Sequence, residues 1–348
     1  MANKITVALA GLGSRGKDTY AKAAKIHPDK IEIVAIADVN PKKVEMVAEE
    51  YHIPKERCYT SAEEMLKEEK LADVMFITTQ DRQHVAQAIP ALRKGYHLLL
   101  EKPISPDLDE CREIVKVAKE CDRKVVVCHV LRYTPVFRKV KEILDSGVIG
   151  DIVSINASEN VGWFHMAHSF VRGNWRNKEL SSPMILQKCC HDMDLYLWLA
   201  DKKCKSLSSF GSTYLFKEEN APEGCTKRCL DGCKVKATCP YDAESIYLDS
   251  ERIGARNGNT RWPLDVVTEI PTPESVEEAL KTGPYGRCIY HCDNDVVDHQ
   301  VVNLNMTDGS TMSFSMNGHT ADFARHAQFC GTKGEMNVTM GSWAVSYT

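Results

Sequence analysis

The sequence predicts a doubly wound α/β domain followed by an α+β domain built on a mostly antiparallel sheet. Three observations predict this. Near-continuous apolar, β-branched runs alternate with amphipathic stretches up to about residue 130, the pattern of a parallel sheet covered on both faces. A glycine-rich turn, Gly11-Leu12-Gly13-Ser14-Arg15-Gly16, follows the first apolar run and opens an amphipathic stretch. From Asp151 onward the texture shifts to alternating segments, with Asp308-Gly309 between two of them, a strong hairpin signal.

In the first half, strands are expected at Ile5 to Ala10, Ile31 to Ala37, Val74 to Thr79, Leu98 to Leu100 and Val125 to His129. Charged stretches with helical spacing separate them: Asp18 to His27, Pro41 to Tyr51, Ala62 to Glu69, His84 to Lys94 and Leu108 to Cys121. The boundary is expected after residue 130. In the second half, strands are expected at Ile152 to Ala157, Leu207 to Phe216, Val296 to Met306 and Thr311 to Met316. Helices are expected at Thr134 to Ser146, His191 to Ala200 and Pro273 to Lys281. Residues 218–259 read as an insertion, with little periodicity, many charges and four cysteines. Asp295, Asp298 and His299 fall on a strand-like segment, where alternation places Asp298 and His299 on opposite faces.

Composition narrows the function classes. The 348 residues are enough for two domains of ~100–200 residues. Hydrophobic residues at 43% and charged residues at 26% match a soluble globular protein. Lys+Arg at 44 against Asp+Glu at 48 leave a net charge of −4 and no basic stripe, so no nucleic-acid partner is expected. No stretch nears the ~20 apolar residues of a membrane helix, so no membrane partner is expected. The start, MANKITVALAGLG, runs directly into a strand without a signal-peptide pattern, and a cytoplasmic location is expected.

The glycine turn has the context that a dinucleotide fingerprint requires. It lies between a strand and a helix, and Asp38 ends the second strand about 20 positions past Gly16. Glycines permit a tight turn and close approach of a pyrophosphate to backbone N–H groups. Asp38 is suited to accept hydrogen bonds from the adenosine ribose. A carboxylate there opposes a 2′-phosphate, which favours NAD over NADP, although Arg15 and Lys17 offer charge for the latter.

Several further segments, in order along the chain, resemble one family. They are Glu101-Lys102-Pro103 after the strand at Leu98, Asp145-Ser146-Gly147-Val148-Ile149-Gly150 entering the second half, His191-Asp192-Met193-Asp194 on a helix, and Gly331-Thr332-Lys333-Gly334-Glu335. With the glycine turn they resemble the Gfo/Idh/MocA family, the glucose–fructose oxidoreductase and inositol dehydrogenase group. The resemblance implies an N-terminal Rossmann domain, a C-terminal α+β domain with a large open sheet, and a tightly held NAD or NADP. It also implies hydride transfer at a sugar, polyol or related carbon, and a homodimer or tetramer formed through the open sheet. Carried over residue by residue, Lys102 lies near the nicotinamide and the reacting hydroxyl, Glu101 holds the nicotinamide ribose, and the bond before Pro103 is cis. Thr78-Thr79-Gln80 with His84 lines the cofactor, together with Gly11, Gly13, Ser14, Arg15 and Gly16. His191 matches the family's catalytic histidine.

Two departures stand out. The family often has an aspartate one helical turn before that histidine; here the position is Gln187, which cannot exchange a proton. Acid–base work then falls on Lys102 and His191, or neighbouring Lys188 takes part. Family members also usually continue past the Gly331–Glu335 segment with another helix, whereas this sequence stops at Thr348. Trp175, Arg176 and His165 are candidate substrate contacts, since aromatic rings stack on sugar faces and Arg or His bind hydroxyls and carboxylates; Gln187 and Lys188 join them.

The chain has 14 cysteines. Cys225, Cys229, Cys233 and Cys239 are close enough in sequence to fill a tetrahedral shell, and a structural zinc would supply folding energy to a poorly apolar insertion. An iron–sulfur cluster or disulfides formed by aerobic oxidation are the alternatives. The functional readings are an NAD(P)-dependent dehydrogenase of a sugar or polyol, a glycosidase that uses bound NAD in a closed redox cycle, and a dinucleotide-binding regulator.

Overall fold

The structure is a computed structural model that describes residues 4–341 and 345–347. It divides into two compact units, Met1–His129 and Val130–Thr348. Among the described residues no helix is long and apolar enough to cross a membrane.

The first unit holds six strands: β1 (Ile5–Ala10), β2 (Ile31–Ala37), β3 (Cys58–Tyr59), β4 (Val74–Ile77), β5 (His97–Leu100) and β6 (Val125–Val127). They form one sheet in the order β3-β2-β1-β4-β5-β6, with every pairing parallel. Both faces are buried, and β1 shows why its sequence is apolar throughout. Val7 and Leu9 pack into one cluster with Ile33, Ile36 and Val47, while Ala8 and Ala10 pack into another with Met75, Ile77 and Leu100. The helices begin at side-chain caps. Asn40 accepts from the Lys42 and Lys43 amides ahead of Pro41–Tyr51, and Asp107 accepts from the Asp109 and Glu110 amides ahead of Leu108–Glu120. The two-residue β3 was not expected; it is too short to show a period. The first helix starts at Ser14, four residues earlier than its polar sequence suggests, and its first eight residues have wide π-type turns.

The second unit is built on β7 (Ile152–Asn160), β8 (Cys204–Ser212), β9 (His299–Met306), β10 (Thr311–Asn317), β11 (Ala324–Gly331), β12 (Glu335–Gly341) and β13 (Val345–Tyr347). Their order is β13-β12-β11-β7-β10-β9-β8. Only the β7–β10 pairing is parallel. The hairpin at Asp308-Gly309 joins β9 to β10, with Gly309 in the left-handed region at φ +88°. Strict alternation sends Met312, Phe314 and Met316 of β10 inward with Val302, Leu304 and Met306 of β9. Helices Pro135–Asp145 and Cys190–Ala200 contribute Phe137, Val140, Leu195 and Tyr196 to the same core. The opposite sheet face is open, and Phe210 of β8 and Val301 of β9, paired across the strands, are exposed on it.

Two strand limits differ from the expectation for one reason. The Asp298 carboxylate, fully buried, accepts hydrogen bonds from the Tyr214 and Leu215 amides at 2.8 and 3.0 Å. These amides are thereby withdrawn from the sheet, so β8 ends at Ser212 and β9 begins only at His299. Asp298 also meets His299 Nδ1 at 2.8 Å and His319 Nε2 at 3.3 Å. Asp298 and His299 are therefore hydrogen-bond partners, the first fully buried and the second half-exposed.

The inserted region has its own apolar cluster, contrary to its sparse periodicity. Ile246, Tyr247, Leu248 and Leu264 pack with Val276, Leu280 and Tyr285. Arg172, fully buried, ties this region to the sheet core. Its Nε donates to the Arg287 carbonyl at 2.7 Å and its Nη2 to the Tyr241 carbonyl at 2.6 Å. Beside it, His168 is buried with Nδ1 2.9 Å from the Tyr247 hydroxyl and its ring stacked on Tyr285. Burial first, then the Arg172 charge, lowers the His168 pKa to about 3. The unfolded value is near 6.5, so the folded chain resists a proton that the unfolded chain accepts. The stability from neutral His168 is thus present above about pH 6.5 and is lost as pH falls toward 3. Thermal melts between pH 7 and 4 should show a smaller fall in Tm for His168→Phe than for the parent; equal falls would show that His168 contributes no such term.

Candidate active site

In the first unit, the C-terminal ends of β1, β2, β4 and β5 bring the predicted cofactor residues to one sheet edge. The crevice where strand order reverses, between β1 and β4, is where such sheets bind ligands. Gly11 has φ +90°, and a Cβ there would lie 2.6 Å from the Thr78 carbonyl carbon. A Cβ on Gly16 would lie 1.9 Å from the Gly11 carbonyl oxygen. Thr78 locks this approach, its hydroxyl donating to the Gly11 carbonyl at 2.6 Å. Gly13 differs: no atom lies within 4 Å of the position its Cβ would take. The fold therefore needs Gly11 and Gly16, and leaves open space in front of Gly13, at the start of a helix. A phosphate fits such a place, since backbone N–H groups there point outward.

Asp38 braces the turn. Its carboxylate accepts from the Leu12 amide at 2.6 Å and the Asn40 amide at 2.9 Å. Thr79 Oγ1 donates to Gln87 Oε1 at 2.7 Å, and Gln80 lies exposed beside it. His84 is almost fully buried, with Nδ1 2.7 Å from the Pro103 carbonyl and Nε2 3.2 Å from the Thr79 carbonyl. It links the loop after β4 to the turn after β5 rather than facing a ligand. That turn contains the cis Lys102–Pro103 bond. Glu101 is 6% exposed, and its two oxygens are both engaged. Tyr20 donates to Oε1 at 2.5 Å and the Lys102 amide donates to Oε2 at 2.9 Å. Arg15 Nε lies 3.9 Å from the same carboxylate. Burial, reinforced by the Glu101 charge, pushes the Tyr20 hydroxyl far above its ordinary pKa, so it stays a donor. Sequence reasoning did not identify Tyr20; its signal is only that it lies one turn past Gly16 on the first helix.

In the second unit, His191 sits in the first turn of helix Cys190–Ala200 and is 9% exposed; Gln187 is 4% exposed. Next to His191, Asp192 is fully buried and accepts from Arg325 Nε at 2.7 Å. Arg325 Nη2 also lies 2.9 Å from Glu159 Oε2, and Glu159 Oε1 lies 3.0 Å from Lys188 Nζ. Two cations and two carboxylates thus alternate in a chain, which repays part of the cost of burying them. Burial raises the Asp192 pKa to about 6 against the opposing pull of Arg325.

The other candidate residues separate. Arg176 is committed to Asp293, with Nε 2.7 Å and Nη2 3.1 Å from its two oxygens. Trp175 is half-buried against the core and tilted over Phe170. His165 stacks on Phe323 with ring centres 4.9 Å apart. The zinc expectation is not met: among the described residues no three His, Cys, Asp or Glu side chains are placed to hold a metal. The reason is that the thiols find different neighbours. Cys225 Sγ lies 3.6 Å from His291 Nε2, and Cys229 Sγ lies 3.6 Å from Arg172 Nη2. Cys233 and Cys239, like the rest, are free thiols, so no disulfide forms either. Burial, the first cause in each case, pushes Cys239 upward and Cys288 to about 12. The apolar cluster and Arg172 hold the insertion where a metal had been expected to do so.

The two roles of glycine in the first turn can be told apart. Gly13→Ala should fold with an unchanged melting temperature but weaken dinucleotide binding. Gly16→Ala should cost roughly 1–3 kcal/mol or more by overpacking. Denaturant melts and an NADH fluorescence titration on both variants check this; equal losses of stability would contradict it.

Comparison with known proteins agrees with this geometry. Residues 5–129 match the Gfo/Idh/MocA oxidoreductase family's NAD-binding Rossmann fold, and residues 137–230 match a Gfo/Idh/MocA C-terminal domain. The Bacillus subtilis protein YteT is 25% identical over 269 residues, covering 76% of this chain and 59% of that protein. Inositol 2-dehydrogenase of Salmonella typhimurium is 22% identical over 204 residues, 58% of this chain and 56% of the enzyme. These matches span less than two thirds of either relative's length. The crystal structure of the WlbA dehydrogenase from Bordetella pertussis, in complex with NADH and UDP-GlcNAcA, has the same fold at TM-score 0.68. The two are 18% identical, over 99% of this chain and 77% of that one. The glycine turn on a 3-2-1-4-5-6 parallel sheet, the Glu101–Pro103 turn after β5 and the mixed seven-stranded second sheet place this chain in the Gfo/Idh/MocA family of oxidoreductases.

Proposed function

We propose that the chain is an NAD(P)-dependent oxidoreductase acting on a hydroxyl-bearing carbon of a sugar, polyol or sugar derivative. One observation carries this most of the way. The turn after β5 presents Lys102 beside a buried, doubly anchored Glu101, on the same sheet edge as the open space at Gly13. That is a dinucleotide cradle with a cationic side chain at the end where the nicotinamide would lie.

The residues fit the cofactor. Glycine backbone takes the pyrophosphate and Asp38 takes the adenosine ribose, which selects NAD; Glu101, fixed by Tyr20, takes the second ribose. When bound, the nicotinamide accepts or returns the hydride. The chain's own groups handle the proton and the substrate oxygen. His191 receives the hydroxyl proton as the general base. Lys102 donates to the oxygen and stabilises its alkoxide character. Gln187 holds a substrate hydroxyl by hydrogen bonding and exchanges no proton, and Lys188, held 3.0 Å from Glu159, is a further donor. Substrate specificity and a homo-oligomer through the open face of the second sheet, where Phe210 and Val301 are exposed, belong to the same reading.

The test is incubation with NAD and a panel of sugars, polyols and aryl glycosides, following reduced nicotinamide and aglycone together. Net nicotinamide reduction with one class of substrate is expected. NAD-dependent aglycone release without net reduction would replace this reading with a redox-cycling glycosidase. Lys102→Met and His191→Asn should each lower kcat by roughly 10²–10⁴-fold. Asp38→Ala should raise KM for NAD and narrow the preference over NADP; an unchanged NAD/NADP ratio would remove Asp38 from cofactor selection.

A further inference from the structure

The second unit has an aromatic cluster that no part of the proposed chemistry uses. Helix Trp163–His165 begins after Gly162, whose φ is +80°. A Cβ on Gly162 would lie 2.9 Å from Phe323 Cδ2, so glycine lets the Phe323 ring lie flat against the chain. His165 fills the space between two rings. It stacks on Phe323 at 4.9 Å and meets Trp262 edge-on at 5.5 Å. Trp262 is held from below by Phe164 at 5.6 Å and His168 at 5.3 Å. Although packed on one side, Trp262 and Phe323 are each 40% exposed.

A cation stands at one end of the cluster. Lys188 Nζ lies 5.4 Å from the Phe323 ring centre. The same ammonium is fixed by Glu159, which is 2% exposed, and Glu159 is shared through Arg325 with Asp192. Asp192 adjoins His191. The charged chain therefore ties the aromatic surface to the helix that carries the proposed base, all within one unit.

We propose that Trp262 and Phe323 form two inclined walls of a stacking platform for the ring of a sugar or cyclic polyol, His165 being near-parallel to Phe323 and near-perpendicular to Trp262, with one ring face lying on one wall and Lys188 donating a hydrogen bond to an oxygen on that ring. The chemistry matches. The C–H groups on one face of such a ring are weakly positive and lie against the negative face of an aromatic ring. The hydroxyl oxygens project from the rim, within reach of an ammonium that Glu159 leaves with protons to donate. The inserted region then has a purpose, since Trp262 follows it directly and is supported by residues it packs against. Glu159 and Arg325 are positioning residues in this arrangement. The proposal deepens the dehydrogenase reading and rests on it for the ligand class.

The test reads binding without turnover. Saturation-transfer NMR on the full chain with NAD present would use myo-inositol, D-glucose and D-glucuronate as ring probes, with linear D-sorbitol as the comparison. At least one ring probe should bind the parent protein more tightly than sorbitol. Trp262→Leu and Phe323→Leu should each weaken that binding about tenfold, with Trp262→Phe and Phe323→Tyr restoring most of it. Lys188→Gln should weaken it by a smaller factor. Thermal melts within a few degrees of the parent show that the leucine variants fold. Absence of binding by every ring probe overturns the platform, as does unchanged binding in both leucine variants. Binding that needs Trp262 and Phe323, with no nicotinamide reduction by any probe, would uphold the platform and overturn the dehydrogenase reading.

Discussion

The nucleotide half of this protein depends on the closeness of two backbone segments, the turn after β1 and the start of the loop after β4. Gly11 and Gly16 approach Thr78 and each other so tightly that neither position admits a Cβ. The Thr78 hydroxyl seals the contact. Because β1 and β4 are neighbours at the point where strand order reverses, this contact shapes the crevice of the sheet. The remaining parts are set around it. Asp38 braces the turn from β2, His84 spans from the β4 loop to the β5 turn, and Glu101 is held by Tyr20 from the helix that Gly16 starts. A polar side chain here does one job when it bonds protein and another when it faces ligand. His84 does the first, both of its ring nitrogens lying against main-chain carbonyls.

The second unit is organised by buried charge. Arg172 donates from Nε and Nη2 to main-chain carbonyls and joins the insertion to the core. Arg325 lies between Asp192 and Glu159, and Glu159 passes the constraint to Lys188. Asp298 captures two amides and two histidines and in doing so sets where β8 stops and β9 begins. Each of these groups is costly to bury unless all partners are present. The side chains nearest the proposed chemistry therefore have few alternative positions, as transition-state stabilisation requires.

The cysteine-rich segment shows where pattern reading ends. Four cysteines within fifteen residues read as one ligand set because sequence distance stood in for spatial distance. In the fold, Cys225 turns toward His291 and Cys229 toward Arg172, both far along the chain. The same error in the other sense hid Trp262 and Phe323. They are sixty residues apart with no shared motif, and only the helix at Trp163–His165 brings them to one surface. Arg176 and Trp175 had the right chemistry for a substrate site, but Asp293 and the core claim them.

Local chemistry and period determined much of this protein without any tertiary information. The alternation of buried strands and capped helices, the glycine turn and the Asp308-Gly309 hairpin are encoded by neighbours a few residues apart, while the cis Lys102–Pro103 bond was implied by the family resemblance. Backbone sterics and hydrogen-bonding periods act over that range, so the fold class and the cofactor edge were readable. The tertiary structure alone decided which thiols have which partners, where β8 and β9 end, and which aromatic rings stay open. Those outcomes depend on burial and on partners far along the chain, such as Cys229–Arg172, 57 residues apart, and Tyr214–Asp298, 84 residues apart. No local pattern carries the free energy of such contacts, because it arises only when the whole unit excludes water around them.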